Sequence, residues 1–310
     1  MKSGSIDRKQ FLQAAGLGLL AGCAGERPPG ADEPGSEPEE ARHTLAPPLE
    51  RIGVQLYTVR SLMADNVAAT LDAMAAIGYR EVEFAGYFGH PPGEIRGWLD
   101  AAGLTAPAAH VGIPELTEPG LDASIEAALA VGHDWLVLPF IGPEMRTADG
   151  YREVAAMLNA AGEVTASAGI RIAYHNHGFE FEVVEDEFEA VQDEIEAEAG
   201  GAAGRTGYSI LAEHLDPALV DLEIDFHWST VAGADALALF AEYPGRFPLC
   251  HVKDMTADGR MADVGAGVID WAELFARSEQ AGLRHWFVEH DQPGDPLASV
   301  EASYRYLSGT

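Results

Sequence analysis

The sequence predicts a single α/β domain, an eight-stranded (β/α)8 TIM barrel, over residues 51–310. Three observations carry this prediction. Short apolar runs of strand character alternate with stretches of helical periodicity to the end of the chain, and eight such units can be counted. No GxGxxG or P-loop follows any run, which argues against a doubly wound nucleotide-binding sheet. Polar and ionisable residues recur at the C-terminal ends of the runs, the ends that converge on one site in a barrel.

The elements follow in order. RIGVQLYTV (51–59) is the first strand, and a helix over 65–76 ends before Gly78. YREVEF (79–84) is the second, and Pro91-Pro92-Gly93 opens a helix over 94–102. LTAPAAHV (104–111) is the third strand, with a helix over 121–131. WLVLPF (135–140) is the fourth, with a helix over 151–168 closed by Gly169. IRIAYHNH (170–177), ALVDLEID (218–225), RFPLCHV (246–252) and HWFVEH (285–290) are the fifth to eighth strands. The later helices fall over 234–243, 270–281 and 296–307. Residues 185–203 are rich in Asp and Glu and read as an exposed acidic helix or loop after strand five.

The chain of 310 residues is 47% hydrophobic, as a folded globular protein requires, and carries 19 basic against 50 acidic residues, a formal charge of -31. Such a surface repels phosphate backbones, so nucleic acid is excluded as a partner. Two cysteines, Cys23 and Cys250, are too few for a disulfide framework, and Cys250 in its apolar run reads as a small buried hydrophobe.

Residues 1–23 do not read as fold. Lys2, Arg8 and Lys9 precede the apolar run FLQAAGLGLLAGC, which is shorter than the roughly 20 residues a bilayer span needs. LAGC resembles the lipobox of bacterial lipoproteins, and IDRKQFL resembles a twin-arginine signal with Lys9 in the second arginine's place. These likenesses imply an exported protein outside the cytoplasm, anchored to the membrane by a lipid on Cys23. Residues 24–50, rich in Pro, Gly and Glu, read as a disordered tether.

The ionisable residues at the strand ends are numerous. They are His175, Asn176, His177 and Glu180 after strand five, Asp225 and His227 after strand six, His251 with Lys253 and Asp254 at strand seven, and Glu289 with His290 and Asp291 at strand eight. Strands one to three add Gln55, Tyr57, Glu83 and His110. Several buried carboxylates at one corner repel one another, so a bound cation is the economical arrangement. Two or three carboxylates with one imidazole suit one divalent ion such as Mn²⁺, Mg²⁺, Co²⁺ or Zn²⁺. Each residue also has a plainer reading: Asp225 as a helix cap, His251 as a core histidine, and Glu289 as an ion-pair partner of Lys253.

YHNHGFEF (174–181), DLEIDFHW (221–228), HVKDM (251–255) and WFVEHD (286–291), in this order, resemble the xylose-isomerase-like sugar phosphate isomerase/epimerase family from about residue 51 onward. The resemblance implies a barrel that binds a divalent metal through residues at the ends of strands five to eight, here Glu180, Asp225, His251 and Glu289. At strand five, where relatives carry a glutamate in the strand itself, His175 and His177 are alternatives to Glu180. The strand-six motif has His227 where close relatives tend to have tyrosine.

The resemblance further implies isomerisation or epimerisation of a small-molecule carbohydrate by proton abstraction, with a metal-stabilised enediolate. Glu180 and Glu289 are the expected acid–base pair, with Lys253, His110 and His177 binding hydroxyls or steadying the oxyanion. The absence of a phosphate cradle and the acidic charge favour an unphosphorylated sugar, keto-sugar or cyclitol. The same site would serve a lyase or hydratase acting on keto-sugars. A non-catalytic sugar-binding lipoprotein, with Tyr57, Trp228 and Trp271 around its pocket, is the rival of another class. A nuclease would need more histidines and a basic groove.

Overall fold

The computed structural model describes Leu49, residues 51–185 and residues 204–310. Eight parallel strands close into a barrel: β1 (Ile52–Gln55), β2 (Glu81–Ala85), β3 (Thr105–His110), β4 (Trp135–Leu138), β5 (Arg171–His175), β6 (Val220–Asp225), β7 (Leu249–Val252) and β8 (His285–Val288). Each strand pairs with its sequence neighbours, and β8 returns to β1 with Gly53 beside Phe287. The (β/α)8 expectation therefore holds. The export segment 1–23, the tether 24–50 apart from Leu49, and the acidic stretch beyond Glu185 lie outside the described residues.

The strands are shorter than the apolar runs, and local caps set several helix ends. The helix expected over 65–76 is Val67–Ile77, opened by Asn66, whose side chain accepts the Ala69 N–H, and a short helix Arg60–Asp65 precedes it. The long helix starts at Ala148, ahead of the expected Tyr151, because Thr147 caps it through the Gly150 N–H. The helix expected over 270–281 is two helices, Trp271–Phe275 and Ser278–Ala281. The helix Gly207–His214, opened by a capping box between Thr206 and Ser209, and an antiparallel ribbon of Asp254–Met255 with Met261–Ala262 were not anticipated.

Alternation along parallel strands divides their residues into two sets. Outward residues such as Val54, Val82, Leu136, Ile172, Ile224 and Val252 pack under the helices in the main hydrophobic core. Inward residues form a separate small core of Ala108, Trp135, Val137, Ala173, Leu249 and Phe287. Below this plug, at the N-terminal end, Asp221 Oδ2 accepts from Trp135 Nε1 at 2.8 Å and Arg171 Nε at 2.5 Å. Glu81 there faces His285 Nδ1 at 2.7 Å. Above it lie Gln55, Glu83, His110, His175, Glu223 and His251, and then Asp225, Lys253 and Glu289 at the mouth. The barrel is thus filled in layers of side chains, with a thin apolar layer between two polar ones.

Cys250 sits on β7 among the outward residues and is fully buried, and burial pushes its thiol well up. This corrects the expected lipid-anchored membrane association: the cysteine that the structure describes is an inert core residue and offers no surface attachment point, while Cys23 lies outside the described residues. Among the described residues no helix is long and apolar enough to cross a membrane.

Two stability predictions follow from this packing. A Cβ at Gly53 would lie 2.5 Å from Phe287 Cδ1, and the ring cannot retreat inside a closed barrel. Gly53→Ala should therefore cost about 1–3 kcal/mol in denaturant unfolding; unchanged stability would contradict the interior packing. His133 is buried, donates through Nδ1 to the Ala106 carbonyl at 2.5 Å and accepts from the Tyr87 hydroxyl at 3.1 Å. Burial lowers its pKa from 6.5 to about 4. The unfolded chain takes up this proton near 6.5 and the folded chain only near 4, so the group's stabilisation is lost as pH falls between these values. His133→Asn should flatten the stability slope in that window by up to about 1.4 kcal/mol per pH unit. An identical slope in both proteins would refute this.

Candidate metal centre

The mouth of the barrel is built from strand ends whose backbone is pinned locally. Asp225 ends β6 and caps the helix Phe226–Val231, with Oδ1 accepting the Trp228 N–H at 2.9 Å. Its backbone N–H donates to Asn176 Oδ1 at 3.2 Å, tying the end of β6 to that of β5. The capping reading of Asp225 holds through Oδ1, while Oδ2 faces Lys253 at 2.9 Å, so the cap does not use up the carboxylate. His251 and Lys253 stand two residues apart and so share one face of the chain leaving β7. Glu289 follows β8 with its N–H donating to the Val252 carbonyl at 3.3 Å.

These residues converge. Asp225, His251 and Glu289 each offer a ligand atom within 4.8 Å of the others. His251 Nδ1 lies 2.7 Å from Glu289 Oε2 and 4.0 Å from Asp225 Oδ2. The Lys253 ammonium is buried among three carboxylates, 2.9 Å from Asp225, 2.8 Å from Glu289 and 3.0 Å from Asp291. The Glu289–Lys253 ion pair thus exists inside the site itself. Burial pushes the Glu289 carboxyl up, but Lys253 and His251 outweigh it and hold the group well below the ordinary carboxylate range. Burial dominates at Asp225 and raises it despite Lys253 and His251.

A divalent ion fits this donor set. Asp225 Oδ2 and His251 Nδ1 are buried with no aligned hydrogen-bond partner, and two carboxylates with one imidazole suit a hard or borderline cation.

Beneath the mouth lies a second ring of polar groups. Glu83 Oε2 accepts from Gln55 Nε2 at 2.7 Å and lies 2.6 Å from His251 Nε2. Glu223 Oε2 lies 3.0 Å from His110 Nε2 and 3.2 Å from His175 Nδ1. Glu223 escaped the sequence reading, although a signal existed: it precedes Asp225 by two residues in LEID and so shares its inward face.

Glu180 departs from expectation. It lies in the turn Phe179–Phe181 and is fully buried, where the Tyr174 hydroxyl donates to Oε1 at 2.7 Å and the His177 N–H donates to Oε2 at 2.8 Å. Burial, partly offset by those two donors, raises its pKa to about 7. Its partner Tyr174 belongs to the outward core, so Glu180 clamps the loop after β5 and stands outside both ligand groups. Of the strand-five alternatives, His175 is the inward residue, with Nε2 3.7 Å from Asp225 Oδ2. His177 is held neutral chiefly by burial, with its pKa lowered to about 3. Trp271 is not a pocket residue: it is buried and donates through Nε1 to Asp254 Oδ2 at 3.1 Å.

A cavity of about 520 Å³ opens above the site, with Tyr57, His110, His175, His177, Lys253 and Glu289 in its wall. Its size suits a small molecule. A second cavity of about 490 Å³, lined by Arg146, Phe179 and Trp228, meets it at Phe140 and His177.

The arrangement can be compared with known proteins. No curated protein matches the chain. Two crystal structures of sugar phosphate isomerases/epimerases from Parabacteroides distasonis are similar in fold. One is 24% identical with a TM-score of 0.69, covering 83% of this chain and 96% of that one. The other is 25% identical with a TM-score of 0.67, covering 83% and 93%. A 3-keto-D-glucoside 4-epimerase from E. coli is 18% identical with a TM-score of 0.59, covering 84% and 99%. A family model for the xylose isomerase-like TIM barrel matches residues 71–308, and the chain belongs to that family.

Proposed function

We propose that this protein is a metal-dependent isomerase or epimerase acting on an unphosphorylated sugar, keto-sugar or cyclitol. The reading is carried by one juxtaposition: an ionised carboxylate, Glu289, and an ammonium, Lys253, stand side by side in the wall of a small-molecule cavity, and Glu289 completes a donor set for a divalent ion with Asp225 and His251. The similar structures named for sugar isomerase and epimerase activities support the same class.

Asp225, His251 and Glu289 would hold the ion. When bound, the cation supplies Lewis-acid stabilisation of negative charge on a substrate oxygen. The chain's own groups then divide the remaining work. Glu289 takes a proton from a carbon beside a carbonyl, and its return to the neighbouring carbon gives the isomer. Delivery of a proton from solvent to the original carbon, on the face opposite Glu289, would give the epimer. Lys253 donates hydrogen bonds to the oxygen on which charge develops. Neutral His177 binds a substrate hydroxyl. Glu180, hydrogen-bonded to the His177 backbone, is a positioning residue.

An uncharged substrate is supported by the lining. Lys253 is the single cationic side chain among the residues of the larger cavity, and three carboxylates already face it. Little positive potential is left for a phosphate.

The test is incubation of the metal-loaded protein with sugars and 3-keto-sugars in deuterated water. Solvent deuterium is expected at the reacting carbon or its neighbour, and the identity of the product separates an isomerase from a lyase. Glu289→Gln should lower both exchange and turnover by about 100-fold or more. Sugar binding without exchange or product across the panel would contradict an enzymatic role.

A further inference from the structure

We propose a second cation site, beneath the first and inside the barrel, formed by His110, His175, Glu223 and His251 and suited to a borderline divalent ion such as Zn²⁺. It shares His251 with the donor set at the mouth, while His110, His175 and Glu223 stand outside that set. The four residues come from β3, β5, β6 and β7, and each offers a ligand atom within 4.8 Å of the other three.

The separations from the carboxylate oxygen to the three ring nitrogens are close to those of a coordination shell. Glu223 Oε2 lies 3.0 Å from His110 Nε2, 3.2 Å from His175 Nδ1 and 3.3 Å from His251 Nε2. Zinc–nitrogen and zinc–oxygen bonds of about 2.0–2.1 Å in a tetrahedron place neighbouring ligand atoms about 3.3–3.4 Å apart. A hydrogen-bonded cluster explains the arrangement less well. Three imidazoles around one carboxylate oxygen would each have to aim an N–H at it. Yet His175 Nδ1 is not aligned for any hydrogen bond, and Glu223 Oε1 has no partner. Both residues are nine-tenths buried or more, where an unpaired polar atom is costly. His110 Nε2 is hydrogen-bonded to Glu223 and His251 Nε2 to Glu83, so the unaligned His175 Nδ1 beside Glu223 is the atom that hydrogen bonding leaves over and a cation would take up.

The donor chemistry separates this site from the mouth. The upper set has two carboxylates and one imidazole and opens on the cavity, as a catalytic ion requires. The lower set has three imidazoles and one carboxylate, rests on the apolar plug and meets the cavity at His110 and His175, and its imidazole-rich donors suit a four-coordinate zinc ion. His251 joins them, with Nδ1 facing Glu289 and Asp225 and Nε2 facing Glu223 and Glu83. With both ions bound, the ring bridges them and its N–H proton passes to solvent.

The experiment is metal analysis of the full chain, stripped with a chelator, reloaded with Zn²⁺ and desalted. Two zinc ions per chain are expected in the wild type, and one each in Glu223→Gln, His110→Gln and Glu289→Ala. A wild type holding a single ion, or Glu223→Gln and His110→Gln proteins that bind as much as the wild type, would overturn the proposal. Loading with Co²⁺ separates the two sites spectroscopically. Glu289→Ala should keep the strong visible absorption of tetrahedral cobalt while losing turnover, and folded His110→Gln should lose that absorption. Cobalt spectra unchanged in His110→Gln would equally refute the site. Two bound ions in a protein that turns over no sugar would instead sink the catalytic reading and leave this one standing.

Discussion

Closure of a parallel sheet into a barrel decides where the ionisable side chains of its strands go. Once β8 pairs with β1, alternate residues of all eight strands have no direction but inward, and residues of one phase stack as layers. A charge placed on that phase is buried whether or not it has a partner. Glu83, Glu223, Asp225 and His251 are all fully buried for this reason. A buried charge without compensation costs several kcal/mol, so each layer must neutralise itself or take up a counter-ion.

The two ends solve this differently. At the N-terminal end the solution is internal: Asp221 is met by Arg171 and Trp135, and Glu81 by His285. Those groups complete one another and have nothing left to offer a ligand. Toward the C-terminal end the compensation is incomplete. One ammonium, Lys253, serves three carboxylates, while oxygens of Glu83 and Glu223 stay unpartnered. Function belongs at the end whose polar layer cannot satisfy itself. The apolar plug around Phe287 and Leu249 separates the two regimes.

Much of this was legible before any coordinates. Asp225, His251, Lys253 and Glu289 sit at strand ends, and a strand end is visible as the place where an apolar run meets its first charges. Glu83 and His110 were visible in the same way. Glu223 was hidden because it lies within a run, where a single acid reads as a surface residue unless the phase of the strand is known. Glu180 was misplaced for a complementary reason. Distance along the chain put it near the site, but the turn at Phe179–Phe181 rotates it onto the outer face, against Tyr174. The break between Phe275 and Ser278 leaves no mark in the hydrophobic periodicity, because it is made locally, by the Ser278 hydroxyl donating to the Phe275 carbonyl at 2.8 Å.

The central claim is that the unsatisfied polar layer at the barrel mouth holds a cation. Anomalous X-ray scattering from crystals of the Mn²⁺-loaded protein, recorded at a wavelength where manganese scatters strongly, tests it directly. A peak in coordination contact with Asp225, His251 and Glu289, with the Lys253 ammonium displaced toward Asp291, is the result this account predicts. An anomalous map empty between those three residues, with Lys253 still bridging Asp225 and Glu289, would contradict it.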